Sequence, residues 1–452
     1  MNENQFMVIG HPIAHTMSPF INARLFSLSG KSADYGVLDI SPSELTVQMA
    51  KLRTLDGFNV TIPHKQAIIP FLDELNEKST FSGSVNTVKN DGGRLIGCTT
   101  DGAGFCGALS AVGASLKGRT VIVGAGGAGR VMAFEAALQG GLVTVAVRPH
   151  SVPAAEKLCA EIRSKVSNAR VDFCLLDEIS GSIDLLANAT PVGMYPNTAQ
   201  CPVSEEIINK AACVFDAVYN PNETMLLKMA RKNGIKTING MSMLVWQAAA
   251  SHEIWYGATF EAVDIAALCK DAVNEMNNRF GNIILCGYMG SGKTTIGGLL
   301  AKRIGRTFVD MDRYIEQREG MPVTEIFAVR GEPAFRAMER EAAQELSQKS
   351  GLVIATGGGT LMNPENTAVL KENGIVVLLD TPLNVLKGRL LGDRSRPLLA
   401  KPNRSEVMEE LYFARIGVYR AAADIIIPAN GFTQTVVEEV RNALKIPSIQ
   451  NE

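Results

Sequence analysis

Two glycine-rich loops, each set between an apolar strand-like run and a helical pattern, constrain this chain of 452 residues more than anything else in it. The stretch Gly287-Tyr288-Met289-Gly290-Ser291-Gly292-Lys293-Thr294 fits GxxxxGK[ST] without a mismatch. It follows Asn282–Cys286, which reads as a buried strand, and precedes Thr295–Ala301, which reads as a helix. Glycines let backbone N–H groups wrap a phosphate, and the helix N-terminus adds positive potential. Lys293 reaches the outer phosphates, and Thr294 can place its hydroxyl on Mg²⁺. These features predict a nucleoside triphosphate site built from Gly290, Ser291, Gly292, Lys293, Thr294 and Thr295.

Upstream, Thr120–Val123 reads as a strand that runs into Gly124-Ala125-Gly126-Gly127-Ala128-Gly129, with a helical pattern over Val131–Leu138 and a further strand over Leu142–Val147. This is a βαβ unit with GxGxxG at its first turn, and it predicts a dinucleotide site on Gly124, Gly126, Gly127 and Gly129. NAD-binding folds put an acid about 20 residues past the glycines, for the ribose 2′-hydroxyl. Here that strand ends in Arg148 with no acid nearby, so the expected cofactor is NADP.

A length of 452 exceeds one ordinary core and predicts two or three domains. Hydrophobic residues at 46% and charged residues at 20% fit a globular enzyme, and a net charge of −2 argues against nucleic acid or an anionic membrane as partner. Eight cysteines without a CxxC pair suggest free thiols in a reducing cytoplasm. Neither a secretory leader nor a membrane-spanning run is legible. Stop signals over Asn277–Asn282, after a helical stretch from Ala262, place a boundary near residue 280.

Before the first glycine loop, polar clusters close short strands. With segments further along they resemble shikimate dehydrogenase over roughly residues 5–279. The matching segments are Gly10–Pro19, Asn59–Lys65, Ser84–Thr87, Thr100-Asp101-Gly102, Gly124–Arg130, Asn188–Met194, Asp216–Pro221 and Gly240–Gln247. The resemblance implies a two-lobed α/β enzyme, with residues 1–101 and 241–279 binding 3-dehydroshikimate and residues 102–240 forming a Rossmann NADP lobe. It implies Lys65 as acid/base, partnered by Asp101. Thr16 and Ser18 would meet the substrate carboxylate, and Asn59 would border the pocket. Thr61, Asn86 and Gln247 would address ring oxygens, with Tyr219 nearby. Gly240 joins the nucleotide set with Arg148. Ser18 also stands where a helix N-cap before Pro19 would. Three positions depart from the family pattern: Thr16 replaces serine, Thr99 replaces asparagine, and Val147-Arg148-Pro149 replaces Asn-Arg-Thr, which removes two helpers of the 2′-phosphate and weakens the expected NADP preference.

In the last third, Phe308–Asp312 reads as a strand whose acids at 310 and 312 share one side. Gly331–Arg336, the triplet Gly357-Gly358-Gly359, the basic loop Gly392–Leu399, and Arg415 with Tyr419 on a helix complete a pattern that resembles shikimate kinase over residues 282–446. The resemblance implies a P-loop α/β kinase domain (280–452) with a parallel sheet, using ATP and Mg²⁺. Thr294 and Asp310 would hold the metal, and Lys293 and Arg396 would neutralise the transferred phosphoryl group. Arg389 would lie against the adenine, and Asp312 would hold the accepting hydroxyl. Arg336 and Arg415 would clamp the shikimate carboxylate, with Gly358 and Gly359 giving the backbone access to the ring. Both resemblances name shikimate, which points to a bifunctional enzyme taking 3-dehydroshikimate to shikimate and then to shikimate 3-phosphate. The competing readings are a quinate/shikimate dehydrogenase using NAD fused to a kinase of another small acid, or to a non-catalytic ATP-binding regulatory module. A homo-oligomer is compatible with either.

Overall fold

The alternation of apolar runs and helical stretches becomes three separate sheets in the computed structural model, which describes residues 4–13, 16–195, 197–390 and 404–446. The chain divides into two units, Met1–Asn274 and Glu275–Glu452, the division falling inside helix Ala262–Phe280.

The first sheet contains β1 (Asn4–Gly10), β2 (Ala33–Asp39), β3 (Gly57–Val60), β4 (Glu74–Leu75), β5 (Thr87–Asp91) and β6 (Arg94–Cys98), in the order β2-β1-β3-β5-β6-β4. Strands β1, β2 and β3 run parallel, whereas β5 pairs antiparallel with both β3 and β6. Asn59 therefore lies opposite Thr87, and Thr87 opposite Cys98. This reversal carries Asn59, Asn86 and the Thr99–Asp101 turn to one edge. Strand β3 stops at Val60, and Lys65 sits in the short helix His64–Ala67 after Pro63.

The second sheet contains β7 (Arg119–Val123), β8 (Leu142–Val147), β9 (Arg170–Leu175), β10 (Ile183–Asn188), β11 (Ala211–Asp216) and β12 (Lys236–Ile238). Its order, β9-β8-β7-β10-β11-β12, is entirely parallel and is the 3-2-1-4-5-6 order of dinucleotide-binding folds. Strands buried on both faces explain the unbroken apolar runs: Val121, Ile122, Val145, Leu186 and Phe215 are all buried. Each such side chain contributes roughly 1.5–3 kcal/mol of burial.

The third sheet, β13 (Asn282–Cys286), β14 (Thr307–Asp310), β15 (Leu352–Ala355), β16 (Gly374–Asp380) and β17 (Ile425–Pro428), is parallel in the order β14-β15-β13-β16-β17. Here the strand expected through Asp312 ends at Asp310. Asp310 caps helix Met311–Glu319, its carboxylate accepting from the Arg313 N–H at 3.3 Å, so Asp312 lies in the first helical turn. The two acids share a site because a capped helix folds back at the strand end, not because they alternate along a strand.

Candidate functional sites

In the first unit, Lys65 Nζ donates to Asp101 Oδ2 at 2.6 Å. Asp101 opens helix Asp101–Ser110 and is only 7% exposed. Asn86 Nδ2 lies 2.8 Å from Asp101 Oδ1 and 2.7 Å from Gln247 Oε1. Gln247 comes from helix Gly240–Tyr256, which packs unusually close to helix Asp101–Ser110. A Cβ on Gly104 would meet Met243 O at 2.6 Å, and one on Gly107 would meet Trp246 at 2.7 Å.

Sequence reasoning missed the support for this cluster. Asn59 Nδ2 donates to Asn86 O (3.2 Å), Thr87 Oγ1 (3.2 Å) and Ser251 Oγ (3.1 Å), while Tyr35 donates to Asn59 Oδ1 (2.6 Å). Ser18 is hydrogen-bonded to Tyr35, whose burial raises its pKa. A continuous polar chain thus joins Ser18 to Lys65. The available signal was Ser251 standing one helical turn after Gln247. Ser18 is not the N-cap: Met17 is, and Thr16 Oγ1 accepts from the Ser18 N–H at 3.2 Å. Thr61 lies against Gly10, where a Cβ would meet Thr61 Cγ2 at 2.5 Å. Tyr219, in the turn after β11, is held neutral by burial. At Thr99, the hydroxyl is buried without a partner among the described residues.

The GxGxxG loop divides its glycines by function. A Cβ on Gly129 would lie 2.0 Å from Gly124 O, and Gly124 has φ +104°, so both are required by the turn itself. Gly126 and Gly127 face open space. That space fits a pyrophosphate resting on helix Gly127–Leu138. Gly240 packs on the backbone after β11, with 2.3 Å from a Cβ to Ala217 O. Beside the loop lies a cavity of about 220 Å³ lined by Gly124, Arg148, Thr190 and Pro191. The surrounding turns are set by Asn188, which donates to Asp216 Oδ1 at 2.9 Å. Burial raises the Asp216 carboxyl to about 6.

In the second unit, Gly287, Gly290 and Gly292 have φ of +146°, +81° and +94°, which only glycine adopts without strain. Lys293 Nζ donates to the carbonyls of Gly287 (2.7 Å) and Tyr288 (3.3 Å). A cavity of about 480 Å³ brings together Gly290, Gly292, Lys293, Thr294, Thr295, Asp310, Asp312, Arg336, Gly358, Gly359, Arg389 and Arg415. Ser291 is not in its lining: its side chain is buried and its N–H donates to Tyr288 O at 3.1 Å. Arg394 and Arg396 lie outside the described residues. Thr294 Oγ1 donates to Asp310 Oδ2 at 2.8 Å. Among the described residues no cluster of three His, Cys, Asp or Glu could hold a metal. A hydroxyl and one carboxylate nevertheless fit Mg²⁺, which takes few protein ligands when phosphates supply the rest.

Burial, then the neighbouring carboxylates Asp310 and Glu339, raise Asp312 to about 6. Arg336 approaches Gly359, where a Cβ would meet its Nη1 at 2.0 Å, and Arg415 donates to Gly358 O at 3.1 Å. Gly331 (φ +79°) and Pro333 break helix Val323–Ser347, so a new segment starts just before Arg336 and aims it inward. Arg389 donates to Gly290 O (3.4 Å) and Ala429 O (3.0 Å).

Residues 8–88 match the shikimate dehydrogenase substrate binding domain, and residues 289–445 match shikimate kinase. A shikimate dehydrogenase (NADP(+)) of Caldanaerobacter subterraneus subsp. tengcongensis is 39% identical over 261 residues, covering 57% of this chain and 92% of that one. The chain belongs to the shikimate dehydrogenase family. Its C-terminal region adds a shikimate kinase domain, which makes it a dehydrogenase/kinase fusion. A crystal structure of shikimate dehydrogenase in complex with NADP⁺ aligns with TM-score 0.56 and 36% identity, over 60% of this chain and 96% of that one. The shikimate 5-dehydrogenase of Thermus thermophilus, solved with NADP(H) and shikimate, aligns with TM-score 0.55 and 32% identity, over 60% and 99%. Among the described residues no helix is long and apolar enough to cross a membrane, and all eight cysteines are free.

Proposed function

We propose that this dehydrogenase/kinase fusion reduces 3-dehydroshikimate to shikimate with NADPH and phosphorylates shikimate with ATP to shikimate 3-phosphate. One observation carries the first half: an ammonium group 2.6 Å from a buried carboxylate whose other oxygen is held by an amide reaching into the same pocket. NADPH supplies the hydride when bound. Lys65 then gives a proton to the oxygen that gains charge, and Asp101 holds the ammonium in line. Asn86 and Gln247 orient ring hydroxyls, and Thr16, Ser18, Thr61 and Tyr219 border the remainder of the ring and its carboxylate. Gly124, Gly126, Gly127, Gly129, Arg148 and Gly240 form the nucleotide seat.

In the kinase half, Mg²⁺ when bound, at Thr294 and Asp310, neutralises phosphate charge. Asp312 takes the proton of the accepting hydroxyl, which its position beside Lys293 in the cavity and its raised pKa both suit. Arg336 and Arg415 pair with the shikimate carboxylate across Gly358 and Gly359. Lys293 meets the transferring phosphoryl group, Arg396 is assigned as a second cation for its charge, and Arg389 stands beside the base. Residues 1–101 with 241–279, residues 102–240 and residues 280–452 are assigned to the substrate lobe, the nucleotide lobe and the kinase. Free thiols throughout favour a reducing, cytoplasmic setting.

The test supplies the purified chain with 3-dehydroshikimate, NADPH, ATP and Mg²⁺ and follows both products. Shikimate 3-phosphate should appear after shikimate. NADPH oxidation without ADP release would remove the kinase half, and faster turnover of quinate with NAD would remove the dehydrogenase half as stated.

A further inference from the structure

We propose that His150 and Ser151 complete the pocket for the 2′-phosphate beside Arg148 and set the preference of this dehydrogenase for NADPH over NADH. The proposal rests on the reading that the cavity beside the GxGxxG loop seats the dinucleotide. The sequence alone suggests a weakened site, because Val147 and Pro149 stand where an amide and a hydroxyl would flank Arg148. The structure gives Pro149 another role. It opens a 3₁₀ turn, Pro149–Ser151, closed by the Ser151 N–H donating to Arg148 O at 2.9 Å. Proline fixes the backbone angle such a turn starts from. The turn folds the next two residues back beside Arg148, and both His150 and Ser151 line the cavity at the ends of β7 and β8.

The chemistry of this lining is one-sided. It contains no carboxylate. Arg148 and His150 make no side-chain hydrogen bond or ion pair among the described residues. Ser151 stands at the N-cap of helix Val152–Lys165, yet its hydroxyl makes no capping bond. Arg130, the other guanidinium next to the loop, is committed to Glu161 at 2.7 Å and to Ser82 O at 2.6 Å. A ribose 2′-hydroxyl gains most from a carboxylate acceptor, and the lining offers no carboxylate. A phosphate presents only acceptors at neutral pH, and here it would meet a guanidinium, an imidazole and a hydroxyl.

The experiment uses the full chain and the NADPH-oxidation assay, so binding at the kinase is not read. Inhibition constants against NADPH are measured for adenosine 2′,5′-bisphosphate and for 5′-AMP, together with kcat/KM for NADPH and NADH. His150→Ala and Ser151→Ala should each weaken the bisphosphate, His150→Ala by about tenfold, with 5′-AMP and NADH unchanged. His150→Lys should restore most of the loss. If Arg148→Ala weakens the bisphosphate selectively and the other two variants do not, this proposal fails alone. If Arg148→Ala also has no selective effect, the cavity does not hold the 2′-phosphate and the underlying reading fails with it.

Discussion

Lys65 stands in a short helix after β3 and Asp101 opens the helix after β6, and their charged atoms meet at 2.6 Å. The antiparallel insertion of β5 makes this meeting possible, because it returns Asn86 between them to hold the second carboxylate oxygen. Lys65→Met should lower dehydrogenase kcat by about 10²–10⁴-fold, the range for loss of a positioned acid/base. Phosphorylation of added shikimate by the same protein should be unchanged. Parallel loss of both activities would mean the substitution damages folding rather than chemistry.

Kinase activity should depend on the ionisation of Asp312. Burial and two neighbouring carboxylates favour its protonated form and raise it to about 6. The base form therefore accumulates above that pH, and kcat/KM for shikimate should fall roughly tenfold per unit below it. Asp312→Asn should abolish phosphorylation at every pH while nucleotide binding, followed by fluorescent ATP-analogue titration, persists. A pH profile that stays flat through 6 would show that another group takes the proton.

The two roles of glycine in the dinucleotide loop should separate by substitution. Gly129→Ala drives a methyl group to 2.0 Å from Gly124 O and should destabilise the first unit by about 1–3 kcal/mol. Gly126 has φ −75° and open space around it, so Gly126→Ala should leave the melting temperature unchanged and raise the NADPH KM. Thermal melting with initial rates decides both.

What the sequence made legible follows from distance along the chain. Both phosphate loops are contiguous, and the strand before and the helix after each loop are local, so their place in the fold could be read directly. The Asn86–Gln247 contact spans 161 residues and depends on two helices approaching over Gly104 and Gly107, which no local pattern announces. Asp312 was placed on a strand because alternation and a capped helix start look alike over three residues, until Asp310 is seen accepting from the Arg313 N–H. Ser291 fits the phosphate motif perfectly as a letter, yet its N–H is used inside the loop. Pro149 read as a lost helper because its effect, turning His150 and Ser151 towards Arg148, exists only in three dimensions.

Arg336 should prove to have a structural duty as well as a binding one. It pairs with Glu339, which is 1% exposed and, among the described residues, otherwise accepts only from Thr360 Oγ1 at 2.7 Å. Removing the guanidinium leaves a buried carboxylate with one neutral partner, a situation that typically costs about 3–5 kcal/mol. Arg336→Met should therefore raise the shikimate KM of the kinase and lower the stability of the second unit together. Adding Glu339→Gln removes the stranded charge while keeping an acceptor for Thr360. The double variant Arg336→Met/Glu339→Gln should regain most of the stability yet keep the elevated KM, because the carboxylate clamp is still missing. Urea unfolding of the kinase unit and steady-state kinetics on shikimate separate the two effects. Recovery of KM along with stability would mean that Arg336 acts only by supporting Glu339 and does not touch the substrate.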